Sequence, residues 1–169
     1  VTNFNGGKER IVRLAASEQM LGHRGLGGNM IYPVTAVTLE KSHISFIPID
    51  IFYKAIKANT DLAFQMLMFY ADELKVSEKR MKMLASSTAS EKVAASIITI
   101  IGAFGFSDCD PTLLDFTPSR KDIASMAGIT YETVIRELSN LEKSNIIVLE
   151  GKAIRVLDLD YLKTLSKLN

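Results

Sequence analysis

Glu132 and Arg136 are the two side chains whose types and spacing best suit chemistry, and that chemistry is recognition rather than catalysis. Four residues apart, they share one face of a helix. On that face a Glu can accept from cytosine N4, and an Arg can fork onto guanine O6 and N7. Tyr131 directly precedes them and joins them as a candidate base contact. Ser119, Arg120, Thr130, Thr133 and Lys152 are the candidate phosphate contacts. They are hydroxyls at helix N-termini and cations beside them, where backbone N–H groups and the helix dipole favour anions. Taken alone, Glu132 and Arg136 would also make an ordinary surface ion pair, and each hydroxyl an ordinary helix cap. The elements around them decide.

Residues 120–145 have the spacing of a helix-turn-helix. Ala124 is small where two steeply crossed helices must touch, and Gly128, four residues on, tolerates the positive φ of the turn. Ile123, Ile129, Val134 and Leu138 supply the apolar contacts. Ser119 is expected to cap the first helix and Thr130 the second. Two apolar runs, 146–149 and 153–157, flank Glu150-Gly151-Lys152 and predict a β-hairpin, which behind a recognition helix is a wing. A small helix closes the sequence over 158–168. Upstream, 106–118 reads as a loop with a short strand at 114–116, and 91–104 as a helix entered through the polar break Ser86-Ser87-Thr88-Ala89-Ser90, a hinge.

Further upstream the spacing predicts a short helix over 50–58, capped by Asp50, and a long one from Asp61 to about Ala85. Ala63, Leu67, Tyr70, Leu74, Ser77, Met81 and Leu84 recur at alternating spacings of four and three. That is a heptad seam, best matched by an identical helix in a second subunit. The alternative is packing on the chain's own β domain. Phe64, Met66, Met68 and Phe69 lie off the seam and are expected to face that domain. Ser77 is the polar exception, a register device or a hydroxyl aimed at a ligand.

The first fifty residues read as β structure, with a turn at 5–8, strands at 10–15 and 44–47, and a glycine-punctuated loop between. So few strands cannot close a barrel, so the N-terminal part of a β domain is expected to be missing from this sequence.

Composition bounds the rest. The 169 residues are 47% hydrophobic, enough for one or two cores, and the net charge is +1. Any basic footprint must therefore come from placement. The single cysteine, Cys109, permits no intrachain disulfide and no four-thiolate cluster, and points to the cytoplasm. No apolar run is long enough to span a membrane, and the longest, 94–106, is interrupted by Ser96, Thr99, Gly102 and Gly105. His23 and His43 lack ligand spacing, so no metal and no other cofactor is expected.

In this order of parts the chain resembles the cyclic-AMP receptor / fumarate-nitrate regulator superfamily of bacterial transcription factors. Ile129-Thr130-Tyr131-Glu132-Thr133-Val134-Ile135-Arg136 is similar to its Arg-Glu-Thr-Val-x-Arg recognition pattern, with Glu132 and Arg136 at the base-reading positions. Tyr131 departs from the Arg that the best-known members carry there, so their operator is not expected to be the preferred one. Leu21-Gly22-His23-Arg24-Gly25-Leu26 lines up with the family's phosphate-binding cassette. His23 stands where that cassette has its Glu, and Tyr32-Pro33-Val34 offers no cation near its Arg position. A buried phosphate would lack its bidentate partner, which argues against a cyclic nucleotide. Gly22, His23, Arg24 and Ser77 remain the candidate pocket for another effector.

The expected fold is α+β: a partial cyclic-nucleotide-binding-type β-barrel over 1–60, a dimerisation helix and hinge over 61–88, and a winged helix-turn-helix over 89–169. The expected function is that of a homodimeric regulator reading a palindromic double-stranded DNA operator. RNA polymerase and an unidentified small-molecule effector are further candidate partners, and no membrane is among them. The rival reading is a winged helix that docks a protein, which the near-neutral charge favours. An enzyme on the barrel finds no nucleophile–base pair, metal cluster or phosphate loop to support it.

Overall fold

The computed structural model describes residues 2–5 and 8–167. Strands β1 (Thr2–Asn5) and β2 (Lys8–Ile11) pair antiparallel, with Asn5 opposite Lys8. A single 3-10 turn follows at His23–Gly25. Helices α1 (Ile49–Ala58) and α2 (Thr60–Ser86) come next, then α3 (Ala89–Phe104). A hairpin of β3 (Phe106–Ser107) and β4 (Asp110–Leu114) leads to α4 (Arg120–Ala127) and α5 (Tyr131–Lys143). The chain continues as β5 (Ile147–Glu150), β6 (Ala153–Val156) and α6 (Leu159–Ser166). The described residues divide into two compact units, 40–85 and the remainder.

In the larger unit α3 is the spine. It is apolar on nearly every side, so it must be wrapped rather than laid on a surface. Val93, Ile97 and Ile100 are fully buried against Ile123 of α4, Val134 and Leu138 of α5, Ile147 and Ile154 of the sheet, and Leu162 of α6. Each such side chain contributes roughly 1.5–3 kcal/mol by leaving water. Thr88 starts the helix with a capping box: its hydroxyl accepts from the Glu91 N–H at 3.3 Å, and the Glu91 carboxylate accepts from the Thr88 N–H at 2.9 Å. The same Glu91 pairs with Lys167 beyond α6, so both ends of the domain meet. Ile11 and Leu14 join this core, and the Ile11 N–H donates to Ser125 Oγ of α4 at 2.9 Å.

The sheet is antiparallel in the order β3-β4-β6-β5. Backbone pairing between β4 and β6 is confined to Leu113 opposite Arg155, and side chains do the remaining work there. Arg155 ion-pairs with Asp110, donates to the Thr112 hydroxyl at 2.8 Å, and reaches Glu150 at 2.9 Å from Nε. The Thr112 hydroxyl and then the Arg155 guanidinium hold the Asp110 carboxyl well below the usual carboxylate range. A carboxyl depressed in the folded state adds stability above its unfolded range and loses it as pH falls below about 5. Asp110→Asn is therefore expected to lower the Tm at neutral pH and to flatten its decline in acid. Parallel acid limbs for the two proteins in thermal melts would remove this role.

Several expectations are corrected. The strand expected at 44–47 is exposed, irregular chain, because no described strand lies beside it to satisfy its backbone. Between β2 and α1 the described residues hold an isolated bridge at Thr35 and the 3-10 turn. The strand expected over 10–15 runs instead over Lys8–Ile11. Asp50 lies inside the first turn of α1, whose N-cap is Pro48. The side-chain cap at the start of α2 is Asn59, which accepts from the Leu62 N–H at 3.0 Å, rather than Asp61. The segment read as a loop with a strand at 114–116 is the β3–β4 hairpin. Phe64 and Met68 of α2 are exposed.

Candidate nucleic-acid interface

The turn between α4 and α5 has the geometry its residues require. Gly128 adopts φ 65° and ψ 32°, the left-handed region. The N–H groups of Gly128 and Ile129 both reach the Ala124 carbonyl, closing α4. Ser119 opens α4 with a second capping box: its hydroxyl accepts from the Asp122 N–H at 3.2 Å, and the Asp122 carboxylate accepts from the Ser119 N–H at 3.0 Å. Thr130 opens α5 by accepting from the Thr133 N–H at 3.3 Å, with the two hydroxyls 3.0 Å apart.

The inner stripe of α5, Val134, Leu138 and Leu141, is buried. That turns Tyr131, Glu132, Ile135 and Arg136 outward, all exposed, on an arc of about 140° at 3.6 residues per turn. Arg136 does not pair with Glu132. Its Nε donates to Glu137 at 3.3 Å, while 68% of the Arg136 side chain remains open. Ile135 was not singled out from sequence. The available signal was its place off the inner stripe, one residue before Arg136, where an isoleucine has no core to enter.

The wing stands beside this face and is fastened to both helices. On β5, one pair below the tip, the Leu149 N–H donates to Glu142 Oε1 of α5 at 2.8 Å. At its tip, Gly151 turns the hairpin with φ 61°, and Arg120 at the start of α4 donates to the carbonyls of Lys152 at 3.1 Å and Gly151 at 3.3 Å. Burial lowers the pKa of Arg120 below the ordinary arginine value, with the nearby Tyr131 opposing. Lys152 is exposed at the tip. The N-termini of α4 and α5, the wing tip and the outward face of α5 are thus built as one assembly.

Of the other candidates, Gly22, His23 and Arg24 are neighbours at the 3-10 turn, where Gly22 has φ 89° and His23 is buried. Ser77 is half-exposed on α2, in the other compact unit. On that helix Ala63, Tyr70 and Leu84 are half-exposed, and Leu67, Leu74 and Met81 are 60–63% exposed. Among the described residues no group of three or more His, Cys, Asp or Glu is placed to hold a metal ion, and no helix is long and apolar enough to cross a membrane.

Two helices around a glycine turn, backed by a β-hairpin, define a winged helix-turn-helix protein. Residues 91–165 match the model of the Crp-like helix-turn-helix domain. Over most of its length the chain is similar to regulators of the cyclic-AMP receptor / fumarate-nitrate regulator (CRP/FNR) type. It is 27% identical to the transcriptional activator protein FnrA of Stutzerimonas stutzeri over 154 residues, 91% of this chain and 63% of that one. It is 28% identical to the fumarate and nitrate reduction regulatory protein of Yersinia pestis over 160 residues, 95% of this chain and 64% of the relative. It thus spans under two thirds of these relatives' length. Among solved structures, FixK2 from Bradyrhizobium japonicum aligns with a TM-score of 0.61 at 27% identity, covering 69% of this chain and 57% of that one.

Proposed function

We propose that this chain is the dimerising and DNA-reading part of a homodimeric, sequence-specific transcription regulator. The observation that carries the reading is the outward face of α5, where Glu132 and Arg136 stand exposed side by side with the wing fastened next to them. An α-helix fits the major groove of B-DNA, and this face offers an acceptor and a fork-shaped donor to base edges. Tyr131 leads the same face. Ile135 adds an apolar surface suited to a thymine methyl. Ser119, Arg120, Thr130, Thr133 and Lys152 surround it as phosphate contacts. The names of the relatives, which are transcription regulators, point the same way.

The parts then divide as an effector-responsive segment over 1–60, a dimer helix with hinge over 61–88, and a reading head over 89–169. Ala63, Leu67, Tyr70, Leu74, Ser77, Met81 and Leu84 would form the subunit seam. The effector is something other than a cyclic nucleotide, taken at Gly22, His23 and Arg24, and RNA polymerase is the further protein partner.

Selection of bound sequences from a random duplex pool tests the reading. The expected product is a palindrome whose half-site centres lie about 34 Å apart, with thymine opposite Ile135. A pool without consensus, together with binding that ignores salt, would instead support a winged helix that docks a protein, the reading that the net charge of +1 favours.

A further inference from the structure

The wing tip is an exposed two-stranded hairpin end, and its ladder closes at Glu150 opposite Ala153. A hairpin end held only by its own ladder is free to splay. Here one guanidinium spans the tip. Arg120 Nη1 donates to the Lys152 carbonyl at 3.1 Å and Nη2 to the Gly151 carbonyl at 3.3 Å, joining residues more than thirty apart in sequence. Arg120 also follows the Ser119 cap, so its backbone is fixed by the capping box that starts α4. An arginine used solely as a phosphate cation would leave these donors in solvent. This one directs two of its five at consecutive neutral carbonyls, a forked geometry that lysine, with a single ammonium, cannot reproduce.

We infer that Arg120 is a positioning residue that brackets the wing tip to the N-terminus of α4 and so fixes where Lys152 meets its partner. The bracket acts on the wing whether or not a duplex is present. Its consequence for binding rests on the DNA-reading function proposed above, because it assigns Arg120 an effect exerted through Lys152. Cutting the bracket releases the turn at 151–152 beyond the last ladder pair, and the Lys152 ammonium then loses its fixed distance from the outward face of α5.

Hydrogen–deuterium exchange on the whole chain without DNA tests the bracket by itself. Arg120→Lys and Arg120→Gln are both expected to take up deuterium faster than the native protein across residues 147–156. Uptake in α3 should be unchanged, which reports an intact core. Unchanged uptake over the wing overturns the inference, whatever happens with DNA. Binding to the selected operator then tests the coupling. Arg120→Lys and Lys152→Ala are each expected to weaken binding about tenfold, and the double variant little more than either. Native affinity in Arg120→Lys, or a double variant weakened by the product of the single losses, would show a phosphate cation acting on its own. A native chain that binds no duplex refutes the DNA reading alone, and the exchange result still decides the bracket.

Discussion

Arg136→Ala is expected to erase preference for the selected operator while leaving most of the weak affinity for random duplex. The Arg136 side chain is 68% exposed on the outward face of α5, held only by one 3.3 Å contact from its Nε to Glu137. That contact uses Nε alone and leaves the two terminal nitrogens of the mostly exposed guanidinium to meet a base edge. A bidentate arginine–guanine contact carries about 1–3 kcal/mol of discrimination. Two half-sites in a symmetric dimer double that to about 2–6 kcal/mol, a loss of about 30-fold to 20 000-fold at 1.4 kcal/mol per factor of ten. Random duplex is held through phosphates, which Arg136 does not face in this reading, so its loss there should stay within a few-fold. Fluorescence anisotropy against selected and scrambled duplexes at one salt concentration separates the two. Equal losses on both would show that Arg136 serves only as charge.

Leu74→Glu is expected to turn the proposed dimer into a monomer. On α2, Leu67, Leu74 and Met81 are each 60–63% exposed, and no residue of α2 is buried. A long helix with that much open apolar surface on one stripe gains by meeting its own copy. In a two-fold pair the seam meets itself, so one substitution removes two leucines and brings in two carboxylates. The lost burial alone, roughly 1.5–3 kcal/mol per subunit, raises the dissociation constant about 100-fold to 20 000-fold before repulsion is counted. Sedimentation velocity should show half the native mass, and operator affinity should fall because one head reaches one half-site. Val76→Glu, which is as exposed but off the seam, should keep the native mass. If Leu74→Glu keeps it too, the seam reading fails.

What could be read from the sequence follows from how local the signals are. Ser119 with Asp122, Gly128, Thr130 with Thr133, and Gly151 act within a few residues of themselves, and each sits in the structure where its chemistry placed it. The buried stripe of α5 and the apolar run of α3 were legible for the same reason, since periodicity needs no partner to be seen. The stretch 44–47 was misread because alternation and β-branched residues describe a strand only if another edge is present to receive it. The β3–β4 hairpin was missed because Pro111 disguised a strand whose far side is tied by Arg155 rather than by backbone. The site shows the same division. Glu132 and Arg136 were visible as a spacing, whereas the attachment of Arg120 to Gly151 and Lys152 joins parts of the chain that no window of sequence contains. Ile135 was overlooked because an isoleucine is presumed to belong to a core until its neighbours are seen to fill it.

Near its tip the wing is tied on one side to the last turn of α5 through Glu142 and on the other to the first turn of α4 through Arg120. An end held from two different helices resists swinging toward either, so the head docks with little compliance of its own. On a duplex, the accommodation then falls to the nucleic acid: where wing and helix ask for more curvature than straight B-form offers, the DNA must bend. Bending is easiest at pyrimidine–purine steps. Preference for a site would therefore extend to base pairs that no side chain reaches, chosen for how readily they yield.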